Sequence, residues 1–258
     1  MLKRLFALCS GLVLATAASA GPVVPTWTYS LNATWSAATG ASGVGSQTLS
    51  WGTSFQGGAL SSLVITDPPA NGSLTTYVGG GLIPPAFWSP GVTVTHNNNI
   101  ITNSTFTGAT LTANLTLIDP ANAPNPGALP SMDVVIKFLE TPNTAGNCAV
   151  ATNGTPCDDI FVVLSGLPNQ NFSYDGNDYF LNIFPTNAGS FQPLSAAACA
   201  AVGQAAGCIG FTTEESHATI VPFSFTISTR EASIPEPGTL ALVGFSMLGF
   251  GLARRRRH

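Results

Sequence analysis

The chain has few charged residues, and basic residues are the scarcest. Only 8% of its 258 residues are charged while 45% are hydrophobic. This composition is too apolar for a disordered acidic tail, and it has fewer charged residues than an ordinary cytosolic domain. Between the two termini the basic residues are Lys137 and Arg230, against eleven carboxylates, so this body has a formal charge near −9. Such a surface repels phosphate, which excludes nucleic-acid binding through the body.

Recognisable catalytic combinations are also scarce. The body has two histidines, His96 and His217, and no Gly-x-Ser-x-Gly elbow, so nucleophilic catalysis has little support. Paired acids do occur, and a glycosidase that uses Glu140 or Asp158 stays open as a hypothesis. The pairing is weak support, because any protein with eleven acids contains candidate pairs. We expect a protein without enzymatic activity.

The N-terminal segment predicts export. Lys3 and Arg4 precede an apolar run over residues 5–18, and Ala18-Ser19-Ala20 supplies the small residues that a signal peptidase needs. This pattern is typical of a signal peptide cleaved after Ala20, with a retained membrane anchor as the competing interpretation.

A second apolar segment lies near the C-terminus. Residues 240–252 are apolar except for Ser246, and as a helix they would rise about 20 Å, short of a hydrocarbon core of about 30 Å. Counting from Ile234 and letting the arginines snorkel closes most of this gap. A marginal span suits a temporary anchor, with the arginines on the cytoplasmic side and the body facing outward. The arginines are Arg254, Arg255, Arg256 and Arg257.

The order of these features resembles the PEP-CTERM sorting signal, with Pro235-Glu236-Pro237 as the motif, an apolar helix after it and arginines last. The resemblance implies processing by an exosortase, a membrane peptidase, after signal peptidase has acted at the other end. It implies transient anchoring in the inner membrane with the body in the periplasm, then release to the cell surface or extracellular matrix. The domain prediction is therefore a signal peptide at 1–20, a β-rich domain at 21–233 and a sorting signal at 234–258.

Period-two patterning in the body predicts half-buried β-strands. The alternating apolar residues are Trp27, Tyr29 and Leu31; Leu111, Ala113, Leu115 and Leu117; and Val221, Phe223, Phe225 and Ile227, with Pro222, Ser224, Thr226 and Ser228 opposite the last set. Residues 132–139 and 160–164 are apolar on both faces, which predicts strands inside a sheet. Asp175-Gly176 predicts a hairpin turn, since both residues tolerate positive φ.

One short helix is expected in the C-terminal third, over residues 193–201, with Ser195 as its N-cap and Gly203 as its stop. Short strands, frequent glycine and proline turns and a single helix predict an all-β, sandwich-like fold.

Four cysteines remain after export: Cys148, Cys157, Cys199 and Cys208. They permit three pairings, and short loops favour Cys148 with Cys157 and Cys199 with Cys208. A tetrahedral metal site is the competing interpretation, but close Cys-x-x-Cys pairs are missing and an oxidising compartment favours disulfides.

A second resemblance centres on Thr95-His96-Asn97-Asn98. With four further segments, this motif resembles the THxN family of PEP-CTERM proteins, which is defined by sequence and has no established activity. The four segments are Trp51-Gly52, Glu140-Thr141-Pro142-Asn143, residues 157–162 and residues 210–215. From the residues alone, Thr95, His96 and Asn98 either anchor a turn through side-chain caps or form part of a site for a metal or a sugar.

Calcium is the one cofactor that the composition favours. The body offers hard oxygen ligands and few basic partners for them, and the candidate ligands are Glu140, Asp158 and Asp159. No EF-hand or tandem calcium repeat occurs, and solvated acids are the competing interpretation.

Three functions stay open at this stage. The leading hypothesis is a structural or adhesive protein of the cell surface or exopolysaccharide matrix. The second is a carbohydrate-binding module, with or without calcium, that uses exposed rings among Trp27, Trp35, Trp51 and Trp88. The third is the glycosidase. The expected processing partners are signal peptidase and exosortase, and exopolysaccharide is the candidate ligand.

Overall fold

The computed structural model describes residues 21–121, 126–143, 148–151, 157–165, 170–187 and 191–231. In these residues the chain forms sixteen strands, one α-helix and one short 3₁₀ turn at Pro85–Phe87. The strands and the helix, in chain order, are β1 Thr26–Thr39, β2 Thr48–Trp51, β3 Thr53–Ser54, β4 Ser61–Thr66, β5 Gly72–Thr75, β6 Ser89–Asn97, β7 Ile101–Thr102, β8 Gly108–Ile118, β9 Gly127–Ala128, β10 Met132–Leu139, β11 Asp159–Ser165, β12 Gln170–Tyr174, β13 Asn177–Pro185, β14 Gln192–Pro193, α1 Ala196–Ala201, β15 Ile209–Thr213 and β16 Ala218–Ser228.

Two large antiparallel sheets hold most of these strands. The first has the order β14-β15-β11-β10-β8-β1-β5, with β9 also paired to β8. The second has the order β12-β13-β16-β6-β4-β2, and β3 and β7 form a separate pair. The expectation of a mostly β chain with one short helix is confirmed.

The long pair β1 and β8 shows why alternation in the sequence predicted these strands. Trp27, Tyr29, Ala33 and Trp35 of β1 are buried, and every second residue of β8 from 109 to 117 is buried as well. Because successive side chains of a strand point to opposite faces, each strand presents one apolar face to the interior.

Aromatic rings join the two sheets across a common core. Tyr29 of β1 lies edge-on to Phe225 of β16, with ring centroids 4.8 Å apart. Trp27 of β1 lies edge-on to Tyr179 of β13 at 5.4 Å. Such edge-to-face pairs add to the free energy gained from burial of the rings. The two sheets therefore share one apolar interior.

The hairpin between β12 and β13 has the turn that the sequence predicted. Tyr174 pairs with Asn177, which leaves Asp175 and Gly176 as a two-residue loop with φ of 50° and 74°. Positive φ at both central residues is the geometry of a type I′ turn, and it matches the twist of the flanking strands.

The helix α1 covers the outer face of β11. Ser195 caps it by accepting a hydrogen bond from the backbone N–H of Ala198 at 3.1 Å, and Gly203 follows with φ of 68°, as predicted. Ala198 and Val202 pack on Ile160 and Val162. This packing explains why β11 is apolar on both faces.

Both predicted disulfides are present. Cys148 is bonded to Cys157, with Cα atoms 5.2 Å apart, and Cys199 to Cys208, at 5.7 Å. The second disulfide connects α1 to the segment that enters β15.

The strand β16 departs from its prediction. Ser224, Thr226 and Ser228 were expected on a solvent face, but they are buried. These hydroxyls are partnered by side chains of the β13 side of the sheet: Asn182 donates to Thr226 and Ser228 at 3.4 and 3.5 Å, and the hydroxyls of Thr186 and Ser224 are 2.7 Å apart. The polar face of β16 is therefore buried in the protein, like its apolar face.

Three predictions concern residues outside the described ranges. These are the signal peptide, the terminal apolar helix and the sorting residues Pro235, Glu236, Pro237, Arg254, Arg255, Arg256 and Arg257. Within the described ranges, no helix combines the length and the hydropathy needed to cross a membrane.

Candidate functional site

Three acidic side chains meet at one end of the first sheet. Leu139 pairs with Ile160, so Glu140 follows β10 beside Asp159, the first residue of β11. Asp159 in turn pairs with Thr213, the last residue of β15, and Glu215 lies two residues beyond. Antiparallel pairing therefore brings residues distant in sequence to the same sheet edge.

The second sheet contributes a histidine and an asparagine to this place. His96 lies near the end of β6, and its Nε2 is 3.9 Å from Oδ2 of Asp159. Asn98 donates from Nδ2 to the carbonyl of Thr213 at 3.1 Å. We call Glu140, Asp159, Glu215, His96 and Asn98 the buried acid cluster.

His96 is packed between aromatic rings. It is fully buried, stacks on Trp51 at 5.7 Å and meets Phe138 edge-on at 5.1 Å. Neither ring nitrogen has a hydrogen-bond partner. Burial lowers the pKa of His96 to about 3, because an imidazolium would lose its hydration. The imidazole is neutral at physiological pH.

Glu140 is held by the indole of Trp51. Nε1 of Trp51 donates to Oε2 of Glu140 at 2.7 Å, while Oε1 of Glu140 has no partner. Burial raises the pKa of Glu140 to about 7; the hydrogen bond from Trp51 opposes this rise, and the negative charge of Glu215 adds to it.

Asp159 is held by Thr141. Its Oδ1 accepts from the backbone N–H of Thr141 at 2.8 Å and from its hydroxyl at 3.2 Å, and Oδ2 has no hydrogen bond. Burial is the main reason that the pKa of Asp159 rises to about 9, and the charge of Glu140 adds to it. Both effects disfavour the carboxylate.

Glu215 lies in the turn between β15 and β16. It is 6% exposed, and neither carboxylate oxygen makes a well-aligned hydrogen bond. Burial raises its pKa, and the backbone N–H of Ser216, which lies near the carboxylate without hydrogen-bond alignment, lowers it in part. Oδ1 of Asn98, a residue that is 1% exposed, is likewise unpartnered.

The site residues predicted from sequence fall partly inside this cluster. His96, Asn98, Glu140 and Asp159 are brought together. Thr95 is half-buried on the opposite face of β6 from His96, as strand alternation requires, so it lies outside the cluster.

Asp158 precedes the first residue of β11 and is buried, with its backbone N–H donated to the carbonyl of Val150. Glu140 and Glu215 are the acids whose charges act on Asp159. Glu215 is therefore an acid beside Glu140 and Asp159 that the sequence analysis did not name.

A signal for Glu215 was present in the sequence. The segments that carry the THxN resemblance contain Trp51, Glu140, Asp159 and Glu215 besides the central motif. The structure places Trp51 and Asp159 against His96, and Glu140 and Glu215 close enough to act on Asp159. Grouping those segments as one site would have identified Glu215.

In the described part of the chain, no three histidine, cysteine, aspartate or glutamate side chains already surround one point at metal-binding distance. The cluster has more hydrogen-bond acceptors than hydrogen-bond donors, and its side chains do not form a preformed coordination sphere for a metal ion.

The tryptophans considered as sugar platforms are mostly interior. Trp27 and Trp35 are fully buried and Trp51 is 3% exposed. Trp88 is half-buried, donates to the carbonyl of Ile83 at 3.0 Å and packs against Phe184. Three of the four rings are thus unavailable for stacking on a sugar.

The C-terminal residues match a known family model. Residues 233–257 match the PEP-CTERM protein-sorting motif, in agreement with the resemblance noted from the sequence. This motif marks an exported protein that has a membrane-anchored sorting signal and is processed by an exosortase. No curated protein matches the chain.

Proposed function

We propose that the chain is a non-enzymatic structural or adhesive protein of the THxN type, delivered by exosortase to the cell surface or to an exopolysaccharide matrix. The sorting motif at residues 233–257 is the observation that carries this proposal. Signal peptidase acts first at the N-terminus, and the terminal segment then anchors the chain in the inner membrane with the body in the periplasm.

The body supports a role outside the cell. Two disulfides, Cys148–Cys157 and Cys199–Cys208, suit an oxidising compartment. The formal charge near −9 between the termini keeps copies of the body apart and repels anionic nucleic acid.

Burial of the aromatic rings favours the structural role over sugar binding. A carbohydrate-binding module presents flat exposed rings, whereas Trp27, Trp35 and Trp51 are interior. A glycan array with the released protein separates the two functions. A structural protein gives no saturable signal, and saturable binding to one glycan would favour the carbohydrate-binding module.

The sorting step is tested by comparing cells with and without exosortase. We expect intact-mass analysis to find a trimmed product, without the terminal arginines, only when exosortase is present. Replacing Pro235, Glu236 and Pro237 by alanine should leave the full chain in the membrane fraction. The matched control is Glu231→Ala, which removes an acid outside the motif and should be trimmed normally.

Matrix association is tested on the same cells by separating washed cells, released matrix and medium. We expect the trimmed protein in the matrix or at the cell surface. The proposal fails if cells without exosortase release the same trimmed species, or if the trimmed protein is found only in the medium.

A further inference from the structure

The buried acid cluster contains more acceptors than the protein supplies donors. The unpartnered buried oxygens in it are Oδ1 of Asn98, Oε1 of Glu140, Oδ2 of Asp159, and Oε1 and Oε2 of Glu215. Burying a polar atom without a partner is costly, and burying a charge without one is more so. Five such oxygens in one place are the set of groups that a cation coordinates.

Apart from the ring N–H of His96, whose Nε2 stays 3.9 Å from Oδ2 of Asp159, the neighbouring donors are already engaged. The indole N–H of Trp51 binds the other oxygen of Glu140, Thr141 binds the other oxygen of Asp159, and the amide of Asn98 binds the carbonyl of Thr213. Among the described residues, no ion pair joins a lysine or an arginine to the cluster, and the neutral imidazole of His96, 3.9 Å from Asp159, supplies no positive charge.

His96 is a second, independent sign of a ligand. It comes from the other sheet, is fully buried, and has its Nε2 directed at Asp159 although both ring nitrogens lack a hydrogen bond. A neutral imidazole can accompany a metal-bound carboxylate, but it cannot neutralise one.

We propose that the buried acid cluster binds a calcium ion through the carboxylates of Glu140, Asp159 and Glu215 and the amide oxygen of Asn98. Calcium takes six to eight oxygen ligands with flexible geometry, and carboxylate and amide oxygens are the ones it prefers. One divalent cation would partner the oxygens that the protein leaves unpartnered.

Binding requires a small adjustment of the side chains, since they do not yet surround one point. Glu215 is the group placed to move, because it lies in the turn after β15 rather than within a strand. Asn98 follows β6 of the second sheet, so the ion would connect the ends of β10, β11 and β15 with that sheet.

The experiment uses the exported protein with both disulfides intact, stripped with EDTA and dialysed. Thermal unfolding is measured with Ca²⁺, Mg²⁺, Mn²⁺ or Zn²⁺ added, and calcium binding is measured by calorimetry. At a free Ca²⁺ concentration about 100 times the Kd, we expect the Tm to rise by about 5 °C or more. Mg²⁺ should give a smaller rise, because it demands octahedral geometry and holds its waters.

Two variants locate the ion. Asp159→Asn and Glu215→Gln should each lower the calcium affinity by tenfold or more, and removal of one buried carboxylate should leave the metal-free protein folded. Asp133→Asn is the matched control: it makes the same change on an exposed residue of β10 and should bind calcium as the unmodified protein does.

The proposal is overturned if the unmodified protein shows neither heat nor a Tm shift with millimolar Ca²⁺. It is also overturned if Asp159→Asn and Glu215→Gln retain the full shift, because calcium would then bind elsewhere. Stabilisation by Zn²⁺ without any by Ca²⁺ would overturn the assignment to calcium.

Discussion

Trp51 and Glu140 are 89 positions apart, and the indole N–H of Trp51 donates to the carboxylate of Glu140 at 2.7 Å. Trp51 ends β2, at the edge of the second sheet, while Glu140 follows β10 of the first. The same indole stacks on His96 and on Phe106. One side chain therefore both joins the two sheets and forms a wall of the buried acid cluster.

The Trp51 hydrogen bond should be measurable through a pair of matched variants. Trp51→Phe removes the donor to a buried acid, whereas Trp35→Phe removes an indole N–H that has no partner. Both lose similar ring volume from buried positions. We expect Trp51→Phe to lower the free energy of unfolding by about 1–3 kcal/mol more than Trp35→Phe, measured by urea denaturation. Equal losses would show that the hydrogen bond adds nothing beyond packing.

The metal-free protein should lose stability as the pH rises. Burial raises the pKa of Glu140 and Asp159 above the values of an unfolded chain. At a pH between the unfolded and the folded pKa, the folded state therefore holds protons that the unfolded state has released. His96, with a lowered pKa, has no further effect above pH 7. Between pH 7 and 9 in EDTA, we expect unfolding free energy to fall by about 1.4 kcal/mol per pH unit for each proton retained.

This pH dependence is measured by urea denaturation at a series of pH values. Asp159→Asn removes the more strongly shifted acid and should flatten the curve between pH 7 and 9. A flat curve for the unmodified protein would contradict the burial of ionisable acids, and an unchanged slope in Asp159→Asn would assign the protons to other groups.

The two disulfides should differ in their effects although their loops are equal in length. Each closes a sequence separation of nine, so loss of either costs about 2–3 kcal/mol on the chain-entropy model. Replacing Cys199 and Cys208 by alanine should cost more, because α1 then also loosens from Ile160 and Val162. Thermal unfolding of the two double variants tests this, and equal Tm values would contradict it.

The hairpin turn offers a test of backbone conformation. Gly176→Ala places a side chain at φ of 74° and should lower the free energy of unfolding by about 1 kcal/mol. Gly80→Ala is the control, since a Cβ there meets nothing within 4 Å and the residue does not have positive φ. Denaturation curves that show the same loss for both variants would exclude turn strain as the cause.

Local features of the fold could be predicted because they depend on residues close in sequence. The alternation in β1 and β8, the Asp175-Gly176 turn and the α1 cap each follow from a few neighbouring side chains. The burial of the polar row of β16 could not be predicted, because its partners Asn182 and Thr186 lie on or beside β13 and reach it only through sheet pairing.

The site was harder to predict for the same reason. Asp158 and Asp159 are adjacent in sequence, and only the register of β11 with β15 shows that Asp159 is the one beside Glu140 and Glu215. Glu215 enters the cluster through that pairing and not through any local pattern.

The position of β16 has a consequence for biogenesis. This strand lies between β13 and β6 in the second sheet, and it ends at Ser228, only a few residues before the sorting motif begins at residue 233. The second sheet therefore needs a strand that lies directly before the sorting segment in the chain. In a protein with this sorting signal, completion of the second sheet and processing of the tail therefore involve adjoining stretches of the chain.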